Sequence, residues 1–273
     1  MENLETYKSY IKSPYKSIKH STYFDSYDHF FSKYRGREIT FVEVGILGGG
    51  SLFMWRDYFG EKARIIGVDM NEECIKWQKY GFEVYIGDQS DESFWVDFKK
   101  KVGCFDILLD DGGHTYEQQI ITVESLLGSI NDGGIILVED THTSYMTGFG
   151  PRRYSFIEYV KNKIDKINFR FHNLQNPRLE KVIWSLEIVE SMVAFKINKK
   201  ATNLKSKITD NGGINDNARD ARYDKITLLN SIIHKFSNSY ITNFLPIKMK
   251  KIVINILRGI IIKYKFKARR FFN

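Results

Sequence analysis

Two short segments hold an unusual density of acids and imidazoles. ILLDDGGHTYE contains Asp110, Asp111 and His114, and IILVEDTHTSY contains Glu139, Asp140 and His142. Each follows an apolar run, so each cluster is expected at the end of a buried strand. Carboxylates brought close together repel unless a cation lies between them or a proton is shared. An oxygen-only set of Asp111, Glu139 and Asp140 suits Mg²⁺ or Mn²⁺ better than zinc. His114, three residues after Asp111, could then reach a substrate hydroxyl. Plainer uses exist for the same residues. Asp-Gly-Gly is good turn chemistry, His114 or Thr115 could cap a helix, and His142 could be a hydrogen-bonded surface residue.

A third segment, FVEVGILGGGS (Phe41 to Ser51), reads as a strand turning into a helix through glycines. Such a turn lets backbone approach a ligand, and the helix N-terminus favours anionic or polar groups. The dinucleotide pattern G-x-G-x-x-G fails, because Leu47 stands at its second glycine and Phe53 ends a count from Gly48. What remains is Glu43, then Gly45, Gly49 and Ser51. A carboxylate on an apolar strand needs a cationic or donor partner, and an aminosulfonium ligand such as S-adenosylmethionine would supply one. Asp69 ends the next apolar run 24 positions after Gly45, where an acid commonly grips a ribose diol. Asp88 and Gln89, in YIGDQSD, end the third run within reach of an adenine or its ribose. Each acid could instead cap the following helix, but three at successive strand ends beside a glycine turn favour a nucleoside pocket.

These residues must be positioned by alternating elements. Apolar runs at Ile39–Gly45, Arg64–Asp69, Phe82–Asp88, Phe105–Asp111 and Gly134–Asp140 alternate with helical segments such as Tyr116 to Leu127. That alternation predicts βαβ units and a doubly wound, mostly parallel α/β sheet. In such a sheet the fourth and fifth strands lie beside the first, so both acidic clusters face one crevice at the carboxyl edge. A helix near Tyr154–Ile164 follows, then strands Val182–Val189 and Met192–Asn198 separated only by Glu190 and Ser191, which predicts an antiparallel hairpin. Residues 1–38 read as an N-terminal helical cap, 39–200 as the catalytic domain, 201–225 as a polar linker and 226–273 as a basic amphipathic helical tail.

FVEVGILGGGSLFMW, LLDDGGHTYEQQ and GGIILVEDTHTSYMTGFG together resemble the macrocin and mycinamicin type sugar O-methyltransferases, over about Thr40 to Gly150 and weakly through the hairpin. The resemblance implies a class I, Rossmann-like methyltransferase fold with a seven-stranded sheet, using S-adenosylmethionine and Mg²⁺ (or Mn²⁺). It implies Asp111, Glu139 and Asp140 as metal ligands and His114 as catalytic base. Glu43, Gly45, Gly49, Ser51, Asp69, Asp88, Gln89 and Asp110 are the expected cofactor pocket. His142, Tyr145, Arg152 and Arg153 are the expected substrate contacts, the arginines because their fork suits phosphate. This sequence departs from the family pattern at Leu47, at Gly113 where members often have Ser, in its short N-terminal segment and in its basic tail. The expected substrate is a sugar, nucleotide-linked, of a capsule or lipooligosaccharide, and the Lys-, Ile- and Asn-rich composition suits an AT-rich bacterial genome. A homo-oligomer is expected. Two rivals stand beside this reading: a metal-dependent hydroxylase or catechol-type methyltransferase on the same fold, and a noncatalytic nucleotide-binding, membrane-docking module.

Charge bounds the partners. The formal net charge is +8, yet residues 226–273 alone carry ten Lys or Arg and no acid, so the preceding residues carry −2. A basic nucleic-acid cleft in the main domain is therefore not expected. With two cysteines, Cys74 and Cys104, and no charged-then-apolar leader, a reducing cytoplasm is expected rather than a disulfide framework. In the tail, Ile226, Leu229, Ile233 and Phe236 make one apolar stripe, and Ile252, Val253, Ile256, Leu257 and Ile260 another. Ile247–Ile262 is interrupted by Lys248, Lys250, Lys251, Asn255 and Arg258, which opposes a membrane span. The stripes either pack on protein or lie on an anionic inner-membrane surface. A surface-bound tail is expected to pellet the full chain with anionic vesicles at low salt and release it at high salt; pelleting that is absent, or indifferent to salt, leaves packing as the tail's role.

Overall fold

The computed structural model describes residues 1–168, 181–204, 207–214, 227–239, 245–264, 268 and 271. Five strands run parallel: β1 (Thr40–Val44), β2 (Arg64–Asp69), β3 (Glu83–Ile86), β4 (Phe105–Asp110) and β5 (Ile130–Val138). β6 (Ile183–Val189) and β7 (Met192–Ile197) form the antiparallel hairpin, and β7 pairs antiparallel with β5. The seven strands are ordered β3-β2-β1-β4-β5-β7-β6. The two-residue hairpin turn closes because Ser191 accepts a left-handed backbone, φ +62°.

Helices cover both faces. α1 (Glu5–Lys12), α2 (Tyr23–Phe31) and α3 (Gly50–Phe59) lie on one side with a 3₁₀ stretch at Glu72–Tyr80. α4 (Glu92–Val102), α5 (Tyr116–Leu126) and α6 (Phe156–Asn168) lie on the other. Because strand side chains alternate, Phe41, Ile65, Ile107, Leu109, Ile135 and Leu137 serve the first layer. Val42, Val44, Ile66, Val68, Leu108, Ile136 and Val138 serve the second.

The N-terminal segment is a structural layer of the sheet. Tyr23, Phe24, Tyr27, Phe30 and Phe31 of α2 are all buried. Tyr27 and Phe31 meet the Trp55 ring at centroid distances of 5.1 and 5.6 Å, and Phe31 meets Phe41 at 6.2 Å. Burying each large apolar side chain contributes roughly 1.5–3 kcal/mol, so α2 is held firmly over β1. Its position sets what the loop between α1 and α2 can reach.

The chain divides into two units, Met1–Lys207 and Ile208–Asn273. A short α7 (Lys199–Thr202) ends the first. The second contains α8 (Thr227–Ser237) and α9 (Ile247–Tyr264), which touch each other. α9 exposes Ile252, Ile256 and Ile260 at four-residue spacing, with Ile247 and Met249. Among the described residues, no helix is long and apolar enough to cross a membrane. Asn215 to Asp220 of the expected linker, Ile226 and the side chain of Leu229 lie outside the described residues. Since all seven strands precede Lys207, a chain ending there is expected to melt cooperatively, within a few degrees of the full chain by calorimetry. A non-cooperative melt would make the second unit part of the first unit's core.

Candidate active site

A cavity of about 570 Å³ opens at the carboxyl ends of the parallel strands. It lies where strand order reverses around β1, the position at which open α/β sheets bind ligands, and its size suits a small-molecule site. Gly45 to Gly48, Ser51, Asp69, Asp88 and Gln89 line one part. Asp111, Gly112, Gly113, His114 and Asp140 line another, and Lys16, Ser17 and Ile18 close a third side.

Backbone needs decide much of the nucleoside side. Gly45 has φ +85°, and a Cβ there would sit 2.1 Å from the Asp111 carbonyl oxygen, so only glycine lets the β1 and β4 loops meet. Asp69 accepts from the backbone N–H groups of Ile46 and Leu47 at 3.0 and 2.9 Å, fixing the turn it faces. Asp88 accepts from the Ser90 N–H and hydroxyl at 2.8 and 2.7 Å. Gln89 donates to Asp110 and Thr122 at 3.0 and 3.1 Å and accepts from the Gly113 N–H at 2.8 Å, tying the β3 and β4 loops together. Gly49 caps α3 and faces the Trp77 ring instead of the cavity. Thr115, not His114, caps α5, in a capping box with Gln118.

Strand alternation explains why three of the acids do not line the cavity. Glu43 and Glu139 share the parity of Phe41 and Leu137, so their carboxyls enter the layer beneath α2. Glu43 accepts from Ser51 Oγ at 2.7 Å and Trp55 Nε1 at 3.1 Å. Glu139 accepts from the Tyr27 hydroxyl at 2.5 Å. The cationic partner that Glu43 requires is in place within the chain: Lys19 Nζ lies 3.7 Å from Glu43, 3.3 Å from Glu139 and 2.6 Å from Asp111. Burial alone would lower the Lys19 pKa, but the attraction of Asp111, Glu139 and Glu43 outweighs it and raises the value, so the ammonium stays charged. Burial pushes Glu43 up to about 7 against the pull of Lys19 and Ser51, and raises Glu139 well above the usual carboxylate range. Asp110 has the opposite parity. It is buried behind the wall, holding Gln89 and the Gly112 N–H, and one of its oxygens has no partner among the described residues.

Asp111, His114 and Asp140 converge in the cavity. His114 Nε2 is 3.3 Å from Asp140 and 4.0 Å from Asp111. One ligand atom from each of the three lies within 4.8 Å of the others, and the two carboxylates among them are donors of the kind that a hard divalent ion takes. Glu139, expected to share that ion, is engaged by Tyr27 and Lys19. The Tyr23 hydroxyl also donates to Asp140. Leu47, His114 and Asp140 take left-handed φ of +41°, +59° and +53°, and strain of this kind concentrates at functional sites.

The four expected substrate residues lie outside the cavity lining. His142 bonds Ser191 through Nδ1 and is 3.9 Å from Asp140, at the rim. Tyr145 is 65% exposed, and Arg152 and Arg153 sit in an exposed 3₁₀ turn. The sequence reading missed Lys16 to Lys19, Tyr23 and Tyr27. The available signal was KSIKH, a short basic stretch running straight into an aromatic helix.

No protein-family model matches the chain. It is similar to several curated O-methyltransferases. Over 135 residues it is 33% identical to 8-demethyl-8-alpha-L-rhamnosyl tetracenomycin-C 2'-O-methyltransferase of Streptomyces olivaceus, covering 47% of this chain and 35% of that one. Over 131 residues it is 33% identical to demethylmacrocin O-methyltransferase of Streptomyces fradiae, covering 45% and 33%. The matched part thus spans about a third of the length of these relatives. Among solved structures, the MycE methyltransferase of mycinamycin biosynthesis, in complex with Mg and SAH, superimposes with a TM-score of 0.64 at 24% identity, covering 80% of this chain and 57% of that one. The fold is that of the class I S-adenosylmethionine-dependent methyltransferases, with a seven-stranded mixed sheet.

Burial raises the Asp110 carboxyl from 3.8 to about 7 despite the hydrogen bonds from Gln89 and Gly112. Between these values the folded chain keeps a proton that the unfolded chain has lost, so stability falls as pH rises through the window. Asp110→Asn, which keeps the acceptor oxygen, is expected to flatten the fall between pH 5 and 8. At pH 8 it should exceed the parent chain by on the order of 2–4 kcal/mol. Denaturant melts at both pH values check this; an equal loss at both would mean that Asp110 is held ionised.

Proposed function

We propose that the chain is a divalent-cation-dependent O-methyltransferase acting from S-adenosylmethionine on a sugar hydroxyl. The observation that carries this reading is the continuity of one cavity, from the Gly45–Gly48 turn and Asp69 to Asp111, His114 and Asp140. A place for a nucleoside-bearing cofactor opens directly on a place for a cation and a base. The matched relatives, which are named as O-methyltransferases, one of them for a rhamnosyl compound, support the same chemistry.

S-adenosylmethionine supplies a methyl group made electrophilic by its positively charged sulfur. The glycine turn would admit it close to the backbone, and Asp69, which lines the cavity beside that turn, would accept from its ribose hydroxyls. Asp111 and Asp140, with Glu139 beneath them as the third carboxylate, would hold a divalent ion, which would supply Lewis-acid assistance to a hydroxyl that is a poor nucleophile at neutral pH. His114 Nε2 takes the hydroxyl proton as oxygen bonds to the methyl carbon. The carbon–sulfur bond breaks and S-adenosylhomocysteine leaves. His114 Nε2, which receives the proton, lies 3.3 Å from Asp140 and 4.0 Å from Asp111. Displacement requires oxygen, methyl carbon and sulfur in line, so the cavity's main contribution is positioning.

The finer acceptor in this proposal is a nucleotide-linked sugar destined for bacterial surface polysaccharide. Exposed Arg152 and Arg153, on the chain just beyond His142, would meet its phosphates. The basic tail, with the exposed isoleucines of α9, suits assembly at an anionic membrane surface.

Chelation by EDTA is expected to abolish transfer of labelled methyl groups to sugar acceptors, and Mg²⁺ or Mn²⁺ to restore it. His114→Ala should lower turnover by on the order of 10² to 10⁴ while cofactor affinity, read by calorimetry, hardly changes. Tight NAD binding with no affinity for S-adenosylmethionine would sink the assignment.

A further inference from the structure

The loop between α1 and α2 delivers a cation into the acidic cluster from within the chain. The Lys19 side chain is 2% exposed, and its ammonium bridges Asp111 Oδ2 and Glu139 Oε2 at 2.6 and 3.3 Å. These are two of the three carboxylates that the proposed divalent ion would use. The third, Asp140, lies 3.3 Å from His114 Nε2. Lys16, Ser17 and Ile18 of the same loop line the cavity, and Ser13 bonds the Gly50 carbonyl at 2.8 Å. The loop that carries Lys19 is therefore laid over the cofactor turn.

A divalent ion binds carboxylate oxygen at roughly 2.0–2.6 Å. An ammonium already in contact with Asp111 both occupies that oxygen and repels the ion. We infer that Lys19 is a resident competitor for the divalent cation: the ion completes its set on Asp111 and Glu139 only as Lys19 withdraws, which loosens the loop over the cofactor side of the cavity. Metal loading and loop opening are then one equilibrium. The inference rests on the divalent-cation reading above and adds to it a control on how tightly the ion is held.

The test is direct Mn²⁺ binding to the full chain, followed by paramagnetic resonance of free Mn²⁺ and by calorimetry, without substrate. Lys19→Met, which keeps the length and apolar stem but removes the charge, is expected to bind Mn²⁺ more tightly by on the order of tenfold or more. Lys19→Arg, which keeps the charge, should stay near the parent affinity. Limited trypsin digestion of the unaltered chain gives a readout that needs no variant. Mn²⁺ should speed cleavage after Lys16 and Lys19, and EDTA should reverse the effect. Unchanged or weaker Mn²⁺ binding in a folded Lys19→Met chain would overturn the inference and leave the divalent-cation reading standing. So would cleavage that Mn²⁺ leaves unchanged or slows while the parent chain binds the ion. No Mn²⁺ binding by either parent or variant would remove the divalent-cation reading and this inference together.

Discussion

Carboxylates at the ends of neighbouring parallel strands cannot stay together in a buried layer without a cation between them or a bound proton. Here Glu43 on β1 and Glu139 after β5 enter the layer beneath α2, Asp111 after β4 adjoins them from the cavity, and the Lys19 ammonium lies among all three. Desolvating such a cluster is costly, and removing one member leaves an uncompensated buried charge. The sheet edge, the N-terminal layer and the cavity therefore share one electrostatic constraint. Tyr27, Ser51 and Trp55 complete it by donating to the acids that Lys19 alone does not satisfy.

That constraint assigns the N-terminal segment a second task beyond packing. The aromatic face of α2 fills the layer against Phe41, Trp55 and Phe59. The rigid seat so formed lets the preceding loop place Lys19 inward and Lys16 to Ile18 along the cavity. Packing energy is thereby converted into precise placement of charge, which an exposed, mobile lysine would not achieve.

The loops at the carboxyl edge are held by a second set of contacts. Asp69 fixes the glycine turn, Gln89 bridges to Gly113, and Gly45 admits the β4 loop at contact distance. His114 and Asp140 both adopt backbone conformations that ordinary side chains avoid. Their loops are over-determined by these neighbours, which is the condition under which local strain persists. The proposed reaction asks for this kind of rigidity, since base and cation must hold the attacking oxygen in line with the methyl carbon and sulfur.

How much of this was legible in the sequence follows from the range of the forces involved. Apolar periodicity and turn residues are local, so the order of strands and helices, the hairpin at Glu190-Ser191 and the acidic loop ends could all be read directly. The grouping of Asp111, His114 and Asp140 followed from topology, because parallel connections place the carboxyl ends of β4 and β5 side by side. The facing of individual acids needed the register. Glu43, Glu139 and Asp110 looked like cavity residues from their spacing, yet alternation turns two of them under α2 and the third behind Gln89. Lys19 had no local signature, since a lysine in a polar stretch usually remains in solvent. Only the long-range packing of α2 on β1 and α3 brings it within reach of Asp111, 92 positions away in the chain, and there the attraction of three carboxylates holds it against the cost of burial.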